Sequence, residues 1–123
     1  MVSEIKTIDD FQTAIGDETS GLVIIDFFTT WCGPCKRFQP IFEKLSSENP
    51  DVGFYKIDGD NYIMKEIMSA CNVKAYPSFC FFRKGKYVTK MEGASEENFV
   101  KLMKQYNPKK VSDDVDTLNI TKK

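Results

Sequence analysis

Histidine is absent from this chain of 123 residues, and cysteine occurs only four times. A structural zinc site normally takes four Cys or His ligands, so it would have to use every cysteine of the chain. No apolar segment approaches the length of a membrane span, and the first residues lack the apolar core of a signal peptide. The net charge of −1 gives no reason to expect nucleic acid or an anionic membrane as a partner.

The rest of the composition is that of an ordinary globular protein, with 41% hydrophobic and 28% charged residues. A chain of this length is expected to form one domain and to bury about two-thirds of its unfolded surface. Because no export signal is visible, we expect a cytoplasmic protein in a reducing compartment. There, cysteines spaced C-x-x-C are more often catalytic or metal-binding than structural.

The most informative stretch runs from residue 22 to residue 49. Residues 22–28 are apolar, β-branched and aromatic except for Asp26, which predicts a strand buried on both faces. The apolar residues that follow have the spacing of one helix face: Phe38, Ile41, Phe42 and Leu45. Cys32 and Cys35 therefore stand where a central strand turns into a helix.

This position favours redox chemistry at Cys32 and Cys35. Unpaired N–H groups and about half a positive charge at a helix N-terminus help a thiol to ionise, and the thiolate is the form that attacks disulfides. We expect Cys32 near solvent as the attacking thiol and Cys35 more buried as the resolving thiol. Gly33 allows a tight turn between them, and Pro34 presets the φ angle of a first helical turn.

A zinc site is the alternative role for this pair, but the chain offers no second C-x-x-C. Cys71 and Cys80 have eight residues between them and fall in different predicted elements. Cys80 stands among phenylalanines and is predicted to be a buried, inert thiol. Cys71 lies at a predicted helix end, where it is a candidate for regulatory oxidation or for a disulfide that joins two chains into a dimer. Otherwise we expect a monomer.

The remaining sequence alternates between strand and helix patterns. The predicted strands are at residues 2–6, 52–58, 78–82 and 87–91, and the predicted helices at 8–15, about 61–71 and 95–106. Pro40 falls inside the helix after Cys35, where we expect a kink. This order predicts an α/β fold with a mixed sheet of about five strands and helices on both faces. Residues 108–123 are polar and aperiodic, which predicts a flexible tail after a domain at residues 1–107.

One six-residue block resembles the active site of the thioredoxin family: Trp31-Cys32-Gly33-Pro34-Cys35-Lys36. The similarity extends over about residues 2–107. It implies the thioredoxin fold and a protein-disulfide reductase that works by dithiol–disulfide exchange, with the Cys32–Cys35 disulfide as its redox centre. It also implies recycling by thioredoxin reductase with NADPH, no bound cofactor, and a role in electron transport to target proteins and in cell redox homeostasis.

Asp26 is a candidate general base. Burial inside the predicted strand raises the pKa of a carboxyl group, and a perturbed carboxylate near a nucleophile suits proton transfer. The alternative is a carboxylate that escapes to the end of the sheet and pairs with a lysine. The resemblance implies that Asp26 takes the proton from Cys35, and Lys56 matches a lysine that lies near this carboxylate in many relatives.

Four further residues are candidates for supporting a substrate. Trp31 is the only tryptophan and is predicted to be a partly exposed platform beside the cysteines. An X-Pro bond is far more often trans, but the resemblance implies a cis bond between Tyr76 and Pro77, with the proline facing the disulfide and the adjacent backbone pairing with an extended substrate. It also implies that Gly93 lets a partner's backbone approach.

Two other functions stay open from sequence. One is an oxidase or isomerase of disulfides on the same fold, against which the Gly33-Pro34 dipeptide and the missing secretion signal argue. The other is a thioredoxin-like binding or assembly subunit that uses the fold as an interaction surface. Such a binding role would survive replacement of both Cys32 and Cys35 by serine, whereas catalysis would not.

Overall fold

A computed structural model describes residues 1–108 of the chain. The strands are β1 (Ser3–Glu4), β2 (Leu22–Phe28), β3 (Val52–Asp58), β4 (Ser78–Arg83) and β5 (Lys86–Glu92). The helices are α1 (Ile8–Ile15), α2 (Gly33–Glu48), α3 (Lys65–Ala70) and α4 (Glu96–Tyr106), with a 3-10 turn at Tyr62–Met64 before α3. Residues 109–123 of the predicted tail lie outside the described residues, so the domain boundary at residue 107 stays a prediction.

The strands form one mixed sheet in the order β1-β3-β2-β4-β5. β1, β3 and β2 run parallel, while β4 is antiparallel to both β2 and β5. This confirms the expected α/β fold, and it puts β2 at the centre of the sheet. The carboxyl ends of β2 and β3 share one edge, and loops that follow parallel strands meet at such an edge.

Each face of the sheet is covered by two helices, because alternate residues of β2 pack in opposite directions. Leu22 and Ile24 belong to the apolar cluster of α2 and α4, whereas Val23, Ile25 and Phe27 belong to that of α1 and α3. The first cluster is rich in aromatic rings: Phe38, Phe42, Phe54, Phe79, Phe81 and Phe99. The Phe38 and Phe79 ring centroids are 5.0 Å apart, so α2 packs tightly on the sheet.

Local sequence signals explain most element boundaries. Thr7 caps α1 by accepting a hydrogen bond from the Asp10 N–H at 3.0 Å, and the helix ends at Ile15 as predicted. Lys84 and Gly85 have φ angles of 53° and 78°, the left-handed pair that turns a tight hairpin between β4 and β5. Pro40 lies inside α2, which continues beyond it to Glu48.

The predicted helix at 61–71 is shorter than its apolar pattern suggested. Its first turn is a 3-10 turn, because the Asn61 side chain accepts a hydrogen bond from the Ile63 N–H at 3.0 Å and tightens the backbone there. The α-helical part ends at Ala70, and Cys71 is its C-cap. No helix within residues 1–108 is long and apolar enough to cross a membrane.

Candidate functional site

Cys32 and Cys35 are joined by a disulfide at the start of α2, with their Cα atoms 5.3 Å apart. Cys32 is the N-cap of the helix, and its Sγ accepts a hydrogen bond from the Cys35 N–H at 3.1 Å. The Cys32 carbonyl oxygen accepts from the Lys36 N–H at 3.2 Å, which begins the helical ladder. The first thiol of the pair therefore occupies the position where a negative charge on sulfur is best stabilised.

Both cysteines of this disulfide are buried, which corrects one expectation. Cys32 is 5% exposed and Cys35 is 4% exposed, so Cys32 does not lie nearer to solvent than its partner in this state. In this state the Cys32 sulfur is bonded to the Cys35 sulfur and also accepts the Cys35 N–H at the start of α2. The exposed residue at this turn is Trp31, which precedes Cys32 and has 68% of its surface accessible to solvent.

Asp26 is buried in the middle of β2, as predicted, with 6% of its surface exposed. Desolvation raises the pKa of its carboxyl group to about 7, and the charge of Lys56, its register partner on β3, acts in the opposite direction. Within residues 1–108 the Oδ1 atom has no hydrogen-bond partner. Asp26 is two residues beyond Ile24 on β2, and Ile24 packs in the apolar cluster of α2. The carboxyl group therefore lies on the face of the sheet that carries the cysteine pair, where it can exchange protons at neutral pH.

Lys56 does not form an ion pair with Asp26. Its Nζ atom lies 5.5 Å from the centroid of the Phe28 ring, a cation–π contact that holds the ammonium group beside β2. From there it lowers the pKa of Asp26 without neutralising the carboxylate through a direct contact. The alternative in which Asp26 escapes to the sheet end and pairs with a lysine is therefore wrong.

Trp31 is held by two contacts that sequence reasoning did not predict. Its Nε1–H donates a hydrogen bond to Asp60 Oδ2 at 2.8 Å, and its ring meets the Tyr76 ring edge-on at a centroid distance of 6.1 Å. Asp60 follows β3, and Trp31 follows β2, so both lie at the shared edge of the sheet. The Gly59-Asp60-Asn61 turn at the end of a parallel strand was the signal that could have identified Asp60.

The loop before β4 carries the candidate proline. The Tyr76–Pro77 peptide bond is cis, as the resemblance implied, and the Pro77 carbonyl oxygen accepts a hydrogen bond from the Gly93 N–H at 2.9 Å. Gly93 has a φ angle of +95°, and a Cβ built there would meet no atom within 4 Å. Open space therefore lies beside Gly93. The Tyr76–Trp31 contact places the proline loop next to the residue that precedes Cys32.

Cys71 and Cys80 lie apart from this site. Cys80 is fully buried, as predicted, and Cys71 is only 4% exposed. A disulfide that joins two chains through Cys71 requires an exposed thiol, and Cys71 lies instead in the apolar cluster under α3. Among residues 1–108, no group of three or more His, Cys, Asp or Glu side chains is arranged to hold a metal ion.

Replacing Gly59 by alanine is expected to disturb the aromatic pair without unfolding the domain. The new Cβ would lie 2.5 Å from Tyr76 ring atoms, and the half-exposed ring can swing away from Trp31. We expect a loss of about 1 kcal/mol in target binding, about fivefold in KM, and a shifted Trp31 emission. Combining Gly59→Ala with Tyr76→Ala removes the clash. Unchanged emission and KM in the single variant would show that Tyr76 does not support the platform.

Comparison with known proteins gives one consistent result. The Thioredoxin family model matches residues 2–105. A thioredoxin-like protein of Acanthamoeba polyphaga mimivirus is 52% identical over 93 residues, which cover 76% of this chain and 68% of that protein. The thioredoxin of Homo sapiens is 40% identical over 97 residues, covering 79% of this chain and 90% of the relative.

Solved structures agree with the sequence comparisons. Fasciola hepatica thioredoxin superposes with a TM-score of 0.78 at 33% identity, covering 85% of this chain and 98% of the other. Chlamydomonas reinhardtii thioredoxin f2 superposes with a TM-score of 0.79 at 33% identity, covering 88% of this chain and 98% of the other. The similarity therefore includes nearly the whole of both related chains.

Proposed function

This chain belongs to the thioredoxin family and is a thiol–disulfide oxidoreductase that reduces protein disulfides; we propose that Cys32 is its attacking thiolate, Cys35 its resolving thiol and Asp26 its proton acceptor. The observation that carries this assignment is the hydrogen bond from the Cys35 N–H to Cys32 Sγ. A bond from a helix N-terminus to one sulfur favours the thiolate at that sulfur and leaves the other as a thiol.

The reaction then runs in two exchange steps. In the reduced protein the Cys32 thiolate attacks one sulfur of a target disulfide, and the other target sulfur leaves as a thiolate. The product is a mixed disulfide between Cys32 and the target. Asp26 accepts the proton of the Cys35 thiol, and the resulting thiolate attacks Cys32 and releases the second target sulfur. The chain is left with the Cys32–Cys35 disulfide seen in the structure.

Asp26 suits the second step because of its protonation equilibrium. A carboxyl group with a pKa of about 7 is partly ionised at neutral pH, and it can both accept and release a proton there. An ordinary surface carboxylate is too weak a base for a thiol. Burial supplies the increase in basicity, and the position of Lys56 keeps the pKa from rising further.

The surface around the disulfide suits an extended target segment. Trp31 presents a large exposed ring on one side, and Gly93 leaves open space beside the Pro77 carbonyl on the other. Tyr76 connects the two by its ring contact with Trp31. We propose that a target strand lies along residues 76–77, with its disulfide over the start of α2, where Gly33 and Pro34 shape the turn between the thiols.

The wider role is proposed from the family. The oxidised chain would be reduced by thioredoxin reductase with electrons from NADPH, and it would pass them to disulfide-containing proteins as part of cytoplasmic redox homeostasis. The two thiols and the proposed proton acceptor lie within ten residues of the sequence, so the reaction needs one chain only, and we propose that the chain acts as a monomer. No cofactor is required, because the two cysteines hold the two electrons.

Coupling to NADPH tests this proposal. We expect a mixture of this chain, a thioredoxin reductase and a disulfide-bonded protein to consume one NADPH for each disulfide reduced, measured by the loss of NADPH absorbance. The variant with Cys32→Ser and Cys35→Ser should show only the background rate. If dithiothreitol-reduced chain reduces the target while no reductase accepts it, the NADPH route is wrong. If neither arrangement reduces the target, the reductase assignment itself is contradicted.

A further inference from the structure

Exposed apolar side chains cluster at the edge of the sheet that carries the disulfide. Within residues 1–108, five large hydrophobic residues are exposed, and three of them are Trp31, Tyr62 and Ile63, with 68%, 82% and 57% of their surfaces accessible. Single exposed apolar residues are common on proteins, but a group of them in one place often marks an interaction site. We call these three residues the apolar patch.

The members of the apolar patch are held close together by the turn after β3. Trp31 Nε1–H donates to Asp60 Oδ2 at 2.8 Å, and Asp60 is two residues before Tyr62. Consecutive Cα atoms are about 3.8 Å apart, so the Cα atoms of Asp60 and Tyr62 are separated by at most about 7.6 Å. The Asn61 side chain accepts a hydrogen bond from the Ile63 N–H at 3.0 Å. An ordered backbone therefore presents Tyr62 and Ile63 beside the residue that Trp31 contacts.

Tyr62 and Ile63 face solvent because Met64 takes the inward position of the 3-10 turn. Such a turn has three residues per turn, so three successive side chains point in three different directions. Met64 is fully buried in the apolar cluster that lies under α3. Tyr62 and Ile63 therefore cannot join that cluster while the turn is formed, and their side chains are available to a partner that meets this edge of the sheet.

We propose that Tyr62 and Ile63 extend the target-binding surface beyond Trp31 and select target proteins that have an apolar segment beside their disulfide. This inference rests on the proposed function, in which the target disulfide lies over the start of α2. A target that reaches Cys32 meets the exposed Trp31 ring, and the apolar patch continues from that ring along the same edge. A second copy of this chain is a poorer occupant, because it would cover the approach to Cys32.

The size of the apolar patch suits a short-lived complex. Its two aromatic side chains together expose on the order of 300 Å² of surface. Redox complexes are small and bury less than about 600 Å² on each partner. The patch can therefore supply about half of such a contact. Because the turn already holds Tyr62 and Ile63 in place, little backbone freedom is lost when a target binds them.

Two synthetic peptides with the same disulfide-closed ring test the proposal, one with leucine and phenylalanine beside the ring and the other with serine and glycine. Each is mixed with the reduced full chain, the reaction is stopped with acid, and chromatography of the reduced peptide gives the second-order rate constant. The wild type should reduce the apolar peptide about tenfold faster, which corresponds to removing about 60 Å² of apolar surface from water. In the double variant Tyr62→Ser, Ile63→Ser the ratio should fall to about twofold or less, with Trp31 alone supplying the remainder.

Tyr87→Ser is the matched control, and it should keep the wild-type ratio. Tyr87 is 45% exposed, but it pairs with Phe82, and Phe82 pairs with Val23 at the end of the sheet away from Cys32. Three results would overturn the proposal: an undiminished ratio in the double variant, an equal loss of rate with both peptides, or a wild-type dimer that the double variant converts to a monomer in light scattering. A wild type that reduces neither peptide would contradict the reductase function itself, and the role of the apolar patch with it.

Discussion

Replacing Cys35 by serine is expected to stop turnover and to accumulate the mixed disulfide between Cys32 and the target. Cys32 keeps its place at the start of α2, so the first attack proceeds, but serine cannot resolve the adduct. Turnover should fall to the background of uncatalysed exchange. The measurement is non-reducing electrophoresis and intact-mass analysis of the reduced variant mixed with a disulfide-bonded protein. The adduct should disappear when dithiothreitol is added.

Cys32→Ser is the matched control for that experiment. This variant lacks the sulfur that accepts the Cys35 N–H hydrogen bond. It keeps the Cys35 thiol, which is only 4% exposed in the disulfide form. We expect no adduct and no turnover. If Cys32→Ser accumulated the adduct and Cys35→Ser did not, the assigned roles of the two thiols would be reversed. If neither variant formed an adduct while the wild type was active, this two-step exchange would be excluded.

Replacing Asp26 by asparagine is expected to remove a strong pH dependence of stability. The folded carboxyl group has a pKa of about 7, above the value of about 3.9 in an unfolded chain. Between these values the folded protein holds a proton that the unfolded chain has lost, so the free energy of unfolding falls as pH rises. The loss is about 1.4 kcal/mol per pH unit and reaches about 4 kcal/mol above pH 7.

Denaturant unfolding of wild type and Asp26→Asn at several pH values measures this effect. The difference in stability should be constant below about pH 4, change in favour of the variant up to about pH 7, and then level off. Lys56→Met is a second comparison, because removing the positive charge should raise the pKa of Asp26 and move the upper end of the window to higher pH. Parallel curves for wild type and Asp26→Asn would mean that Asp26 titrates normally.

The same Asp26→Asn variant should exchange disulfides more slowly at neutral pH. Without the buried carboxylate, the Cys35 proton must go to water, and general-base assistance is typically worth about a hundredfold or more. The effect belongs to the second step, so the mixed disulfide should live longer while the first attack keeps its rate. Stopped-flow measurement of the two phases separates them. An unchanged second phase would remove Asp26 from the mechanism.

The architecture was predictable because its signals are local. The apolar run of β2, the helical spacing after Cys35 and the Thr7 cap each lie within one element, and each specifies that element without knowledge of the rest. The order of the elements then limits the sheet topology. Asp26 was predictable for the same reason, since a charged residue inside a run of buried neighbours is visible in the sequence itself.

The details that escaped prediction depend on contacts between distant segments. The Trp31–Asp60 hydrogen bond joins residues 29 positions apart, and it exists only because β2 and β3 end at the same edge. Cys71 and Cys80 share one apolar cluster because α3 packs on the face of the sheet that carries the Cys80 side chain. The burial of Cys32 was missed because the partners of its sulfur, the Cys35 sulfur and the Cys35 N–H, are brought to it only by the folded turn.

The equilibrium reduction potential of the Cys32–Cys35 couple tests the central claim most directly. It is measured by the fluorescence of Trp31, next to the pair, in buffers with defined ratios of reduced to oxidised thiol. Cys71 and Cys80 are the other two thiols of the chain, so the Cys71→Ala, Cys80→Ala variant is measured beside the wild type as a control. A two-electron transition more reducing than the glutathione couple is the predicted result for a protein that donates electrons to disulfides. A potential more oxidising than glutathione would contradict the reductase assignment and favour an oxidase or isomerase.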